Sequence, residues 1–224
     1  MRFMANAIRL GLIENAMICG VITDRECPAN QFARDNNIWT DEIDFSEKDQ
    51  LNLILKLKKL CPDIVITTVH KILSPSVVDA FKGILINLHY SLLPAFGGVI
   101  GTKPVRLALN YGARFIGTTV HLVNTLVDAG MPLVQAVIPV EKADTVESVM
   151  DTVFRCGCIS LLNCVEILRL TDPQGMRNSC SCLKIRGRTV FINPMVLHCS
   201  SYETEIFWQE LKSYPFSTSK KIIN

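Results

Sequence analysis

What the chain lacks narrows its class first. It has almost no surplus of charge: 23 lysines and arginines against 21 aspartates and glutamates leave +2. Its densest basic cluster, Lys56, Lys58 and Lys59, has the look of the wet side of a helix. Nothing in it forms the electrostatic footprint that a polyanion needs, so nucleic acid is not an expected partner. No apolar run reaches the roughly 18 residues of a membrane span, and no membrane is expected either. The opening stretch MRFMANAIRLGLIENAMICG has no clear small-residue cleavage site and is read as part of the fold. What is there is the balance of a folded core: 49% hydrophobic and 20% charged over 224 residues, enough for one core with a small appendage.

Cysteine is plentiful, at nine, yet its spacing fits neither of its usual structural uses. Cys156 and Cys158, at i and i+2, do not share a helix face, so a regular helix does not aim both at one metal. Structural zinc sites usually space their cysteines by two to four residues, unlike these or Cys180 and Cys182. Without a secretion signal disulfides are not expected. The cysteines are therefore read as reduced and mostly packed.

The apolar pattern alternates strand and helix. Residues 17–23 read as a strand, 28–36 as a helix opened by Cys27-Pro28, and 38–43 as a short strand. Residues 46–60 read as a helix with Ser46 at its N-cap, Asp49 three residues on, and Leu51, Ile54, Leu55 and Leu57 in its apolar stripe. The run DIVITT (63–68) is β-branched and too apolar for a wet face, as in strands covered on both sides of a parallel sheet. Pro75 starts a helix, 84–88 is the next strand, and a helix from Pro104 ends at Tyr111-Gly112. Residues 115–123 and 132–140 are strands, and 145–170 a long helix stopped by TDPQG (171–175). Residues 183–192 predict a hairpin turning at Arg186-Gly187, and 203–211 a short helix. The order predicts an α/β fold: a mostly parallel twisted sheet flanked by helices, with a small C-terminal hairpin extension.

One strand end concentrates polar chemistry. In INLHYSLLPAFGG (86–98), Asn87 and His89 stand two residues apart, and in α/β sheets ligands bind beyond the carboxyl ends of strands. Either residue alone is ordinary there. Two further features go with them. PAFGG (94–98) is a long glycine-containing loop of the kind that shapes a site. A second loop, NTLVDAG (124–130), brings the carboxylate of Asp128. Asn, His and Asp together form a usable set for acyl transfer.

INLHYSLLPAFGG, followed further along by GTTVHLVNTLVDAGMPLVQAVIPV (117–140), resembles the folate-dependent formyltransferases, and within that family the branch that formylates 5'-phosphoribosylglycinamide. The resemblance implies a Rossmann-like catalytic domain, 10-formyltetrahydrofolate as one-carbon cosubstrate, a small-molecule amine as acceptor and a cytoplasmic setting. It implies that Asn87, His89 and Asp128 are catalytic. It implies that His70, Lys71, Ile72 and Leu73 contact the pterin through their backbone, that Asn124, Thr125, Leu126 and Val127 form the folate loop, and that His121 supports them structurally. No metal is implied. The physics agrees with these roles. Asn87 and His89 offer N–H groups to a formyl oxygen as charge gathers on it, and Asp128 orients His89, biases it toward its protonated form and accepts or relays the amine proton. An amino-sugar nucleotide is the second acceptor reading. Hydrolysis by water and a non-catalytic folate-binding or interaction protein are readings from other classes.

The chain departs from the family's pattern at three places. It opens at a segment resembling the helix that follows the family's first strand and phosphate loop. The expectation is an N-terminally shortened catalytic domain over 1–172 and a C-terminal extension over 173–224. A second copy in a homodimer is one way to cover the sheet edge this leaves. The segment GVIGTKP (98–104) lacks the histidine of the glycinamide branch and offers Lys103 instead. The tail adds the hairpin.

Overall fold

The structure, a computed structural model, describes residues 1–69, 71–170, 179–197 and 200–213. In chain order it comprises α1 (Arg2–Arg9), β1 (Val21–Thr23), α2 (Pro28–Asp35), β2 (Thr40–Glu42), α3 (Leu51–Leu60), β3 (Val65–Thr67), α4 (Pro75–Ala80), β4 (Leu85–His89) and α5 (Lys103–Tyr111). Then follow β5 (Phe115–Leu122), β6 (Pro132–Pro139), α6 (Val146–Arg169), β7 (Ser181–Ile185), β8 (Arg188–Asn193), a 3-10 turn (Ser200–Glu203) and α7 (Glu205–Ser213). The expected helix stop at 171–175 lies outside the described residues.

The fold is α/β, with a central sheet flanked by helices, but the expectation of mostly parallel strands is corrected. The main sheet runs β3-β4-β5-β6-β8-β7, and in it only β3 and β4 are parallel. A helix between two strands ordinarily marks a parallel crossover. Between β4 and β5 a long loop, 90–102, precedes α5 and gives the chain the extra reversal that lets β5 return antiparallel. The strands β1 and β2 form a separate parallel pair. The strand expected over 17–23 is only three residues long, and Met17 is exposed.

The start of α3 is a second correction. Ser46 does not cap it; its hydroxyl donates to Asp44. The helix opens instead after Gln50, which adopts a left-handed backbone (φ 50°). The buried Gln50 carboxamide accepts from the Ser74 N–H (2.9 Å) and donates to the Phe45 and Ile72 carbonyls (both 3.1 Å). These distant contacts override the local capping signal. By contrast Ser74 caps α4 as its position ahead of Pro75 implies, and Thr145 and Ser148 close a reciprocal capping box on α6.

Two apolar clusters sandwich the main sheet. On one side α6 lies against β5 and β6, with Ile86, Val120, Ile138, Val153 and Ile159 fully buried. Each such side chain contributes about 1.5–3 kcal/mol relative to exposure. Gly157 lets α6 approach closely: a Cβ there would stand 2.9 Å from a Leu88 methyl. The helix α6 is long and apolar enough, by length and composition, to cross a membrane, although charged residues interrupt its apolar sequence. However, 67% of its most apolar window is buried inside the protein, as in a core helix. On the other side α3 and α4 bury Leu53, Ile54, Leu57, Val77 and Val78 against Leu85. The hairpin turns at Arg186 (φ 54°) and Gly187 (φ 77°), the two positive-φ positions of a tight hairpin turn. It extends the main sheet through β8 against β6 and shares its core, with Ile185, Val190 and Ile192 buried in the α6 cluster.

Candidate active site

The site grows from strand alternation. Along β4, Ile86 and Leu88 pack in the α6 cluster, while Leu85 packs with α3 and α4. Asn87 and His89 continue the Leu85 row, because side chains two apart share a face. The antiparallel register then sets His121 opposite Asn87 and Thr119 opposite His89. A bulge at Val120/His121 offsets β6 from β5 just there. Beyond β5 the loop folds back on itself: the Asn124 Oδ1 accepts from the Leu126 N–H (3.0 Å) and its Nδ2 donates to the Ala129 carbonyl (3.1 Å). Gly130 makes this return possible, since a Cβ there would lie 1.6 Å from the Leu122 carbonyl oxygen.

That return delivers Asp128 to the two histidines. Its Oδ2 lies 3.3 Å from the His89 Nδ1 and accepts the Gly98 N–H at 2.8 Å; its Oδ1 lies 3.6 Å from the His121 Nε2. The Asn87 Nδ2 is 3.4 Å from the His121 Nε2. The His89 Nε2 faces the Phe96 carbonyl at 3.1 Å. Each ring nitrogen of His89 thus meets an acceptor, and a neutral ring, with one N–H, can donate to only one of them. Burial pulls the His121 pKa below its ordinary value, with the Leu122 carbonyl bond and the Asp128 charge opposing. Phe96 (φ 60°) and Asp128 (φ 53°) both hold left-handed backbones, strain of the kind that clusters at functional sites.

The loop over these groups is anchored by residues the sequence reading did not single out. The Thr119 hydroxyl donates to the Ser91 carbonyl (2.7 Å) and accepts from the Leu93 N–H (3.1 Å) and the Gln135 amide (3.0 Å). Gln135 also donates to the Leu93 carbonyl (3.1 Å). The available signal was Thr119, two residues before His121 and so on the same face of β5, and Gln135, the polar residue in an otherwise apolar β6. The backbone contacts of Phe96 and Gly98 carry no side-chain signature.

Asn87, His89 and Asp128 are therefore brought together, and His121, expected to support them structurally, stands between Asn87 and Asp128. Of the expected pterin segment, His70 lies outside the described residues. Lys71 and Ile72 are exposed and Leu73 is half-buried. Leu73 and Val123, at the roots of the two expected folate loops, pack on the same α3/α4 cluster, so both loops leave from one region. Leu126, Val127 and Ile72 are exposed apolar side chains of these two loops. Asn124 and Thr125 are spent on the turn and exposed, respectively.

The chain is similar to known proteins in sequence and in fold. Residues 6–164 match the formyl transferase family model. A chloroplastic phosphoribosylglycinamide formyltransferase from Vigna unguiculata is 34% identical over 156 residues, 65% of this chain and 49% of that protein. A formyltetrahydrofolate deformylase from Haemophilus influenzae is 37% identical over 105 residues, 46% of this chain and 36% of the other. The chain thus spans half or less of the length of these two relatives. The solved phosphoribosylglycinamide formyltransferase from Bacillus halodurans shares the fold, with a TM-score of 0.69 at 20% identity over 78% of this chain and 92% of that one. With the family model matched over most of its length, and the Asn–His–Asp set assembled within that match, the chain belongs to the formyl transferase family.

Proposed function

We propose that the chain transfers a formyl group from 10-formyltetrahydrofolate to a primary amine, and that the amine is 5'-phosphoribosylglycinamide. The observation that carries the reading is the convergence of Asn87, His89 and Asp128 on one sheet face beside exposed apolar loops. Ile72, Leu126 and Val127 would hold the pterin face of the donor. The amine nitrogen bonds to the formyl carbon and the carbonyl π pair moves to oxygen. Asn87 supplies one N–H to that oxygen. His89 supplies a second when its Nε2–H leaves the Phe96 carbonyl. Each such fixed donor is worth about 2.7–4 kcal/mol. Asp128 takes one proton from the attacking nitrogen. As the electron pair returns, the bond to the folate nitrogen breaks and that nitrogen takes the proton, so none is gained or lost overall.

The name of the plant relative supports the acceptor. The deformylase relative supports a second reading, in which water replaces the amine at the same three side chains. An absorbance assay of folate product formation separates them, run with phosphoribosylglycinamide, with an amino-sugar nucleotide and without an acceptor. Turnover that requires phosphoribosylglycinamide and falls about 10²–10³-fold in His89→Ala is the expected result. Turnover without amine overturns the transferase reading in favour of hydrolysis. Turnover with the sugar nucleotide alone keeps formyl transfer and replaces the acceptor. Donor binding with no turnover under any condition overturns catalysis itself.

A further inference from the structure

Gln50 is a buried polar side chain, 4% exposed, that the catalytic set does not use. A residue just ahead of a helix ordinarily has an extended backbone and turns its side chain to that helix. Gln50 has a left-handed backbone (φ 50°) and makes no side-chain cap bond to α3. Its carboxamide serves other groups. The two N–H groups go to the Phe45 and Ile72 carbonyls, both at 3.1 Å, and the oxygen accepts the Ser74 N–H at 2.9 Å. These partners fix the orientation of the amide, since two acceptors demand the NH₂ end and one donor demands the oxygen.

Two of the three partners belong to one short segment, 72–74, between β3 and α4. A further bond returns from that segment: the Ser74 hydroxyl donates to the Asp49 carbonyl (3.0 Å) and accepts the Val77 N–H (3.3 Å). The starts of α3 and α4 are thus stapled to each other. Between the two tied residues, Leu73 sends its side chain into the α3/α4 cluster. Among the described residues its own N–H and C=O form no hydrogen bond. An adjacent donor and acceptor are left on a backbone pinned on either side, next to the exposed Ile72.

We propose that Gln50 is a positioning residue for the formyl donor, its buried carboxamide fixing the segment 72–74 against which the pterin of 10-formyltetrahydrofolate lies. The inference rests on the formyl-transfer reading, under which this segment and the loop after β5 hold the donor. Gln50 touches neither donor nor acceptor. It acts through Ile72 and Ser74, so its loss weakens donor binding and leaves Asn87, His89 and Asp128 in place.

Two variants of similar side-chain length test this. Gln50→Met removes all three hydrogen bonds, and Gln50→Glu keeps an acceptor for the Ser74 N–H but sets a charge against two carbonyls. In Gln50→Met, amide hydrogen exchange at Ser74 is expected to quicken about tenfold or more while the amides of β5 keep their parental rates. In both variants equilibrium binding of tetrahydrofolate is expected to weaken about tenfold, the scale of one lost hydrogen bond. In turnover, KM for 10-formyltetrahydrofolate rises by the same factor, KM for the amine stays within about twofold, and kcat at saturating donor falls less than about threefold. Tetrahydrofolate binding at parental strength in a folded variant overturns the proposal and leaves Gln50 a structural role. A fall in kcat with an unmoved donor KM overturns it as well. Should Gln50→Met not fold, Gln50→Glu carries the binding comparison alone. A parent that binds no tetrahydrofolate removes the formyl-transfer reading itself, and the proposal with it.

Discussion

At the residue scale, Asp128 combines two demands that substitutions can separate. Its backbone is left-handed (φ 53°), a conformation that Asn tolerates and Ala resists by about 1–2 kcal/mol. Its carboxylate accepts the Gly98 N–H and faces both histidines. Asp128→Asn is therefore expected to melt close to the parent while turnover falls about 10²-fold or more, and Asp128→Ala to lose both turnover and about 1–2 kcal/mol. Thermal melts beside the folate assay check this, and equal melting of the two variants would remove the backbone argument. Cysteines sort by the same local logic. Cys156, Cys158 and Cys164 are buried in α6, and burial pushes the Cys158 and Cys164 thiols up to about 12, whereas Cys61, Cys180 and Cys182 are exposed. A disulfide-exchange reagent at pH 8 is expected to label the exposed three within minutes and the three in α6 only after unfolding.

At the element scale, the loop after β5 depends on one glycine. A Cβ at Gly130 would lie 1.6 Å from the Leu122 carbonyl oxygen and 3.3 Å from the His121 Nδ1, and backbone cannot yield as a side-chain tip does. Gly130→Ala is expected to cost about 3 kcal/mol, the scale of overpacking, and to displace Asp128 so that turnover falls further than stability explains. Denaturation midpoints and kcat together check it; a folded variant with parental kcat would show that the loop tolerates the shift. This element also shows what the sequence made legible and what it withheld. Asn87 and His89 could be placed on one face because alternation is local, and Asp128 could be paired with them through the family resemblance. The hairpin turn at Arg186-Gly187 and the α6 helix were legible for the same local reason. The antiparallel return of β5 was not, because the reversal lies in a loop without periodicity. The start of α3 was misread because Gln50 answers to Ser74 and Ile72 rather than to its neighbours. The Phe96 and Gly98 contacts are backbone groups, which every residue carries alike.

At the scale of the whole molecule, the C-terminal segment closes the core, and ionic ties at Arg155 and Arg188 help fasten it. Phe207 and Trp208 of α7 pack on Phe3 of α1, with Phe3 and Trp208 stacked at 5.5 Å. Arg155 of α6, 4% exposed, lies over the Trp208 ring and binds Glu205 through two hydrogen bonds. The second tie joins Arg188 of β8 to Asp144, the residue just ahead of the α6 cap, through two nitrogens, one at 2.8 Å. Burial tends to raise the Asp144 pKa, but hydrogen bonds from Arg188 and the Glu141 N–H outweigh it and hold the carboxyl below the ordinary carboxylate value. A group depressed in the folded state stabilises fully above its unfolded pKa, about 3.9, and loses that contribution as pH falls through the folded value. Asp144→Asn is thus expected to unfold about 1–3 kcal/mol more easily than the parent at pH 7. The gap should persist down to about pH 5 and close below about pH 4, where the parent's own carboxyl takes up its proton. Urea midpoints of both proteins from pH 7 to pH 3 read this out directly. A gap that stays constant to pH 3 would assign the cost to lost packing around Asp144 rather than to its charge, and the tie between β8 and the foot of α6 would then be steric.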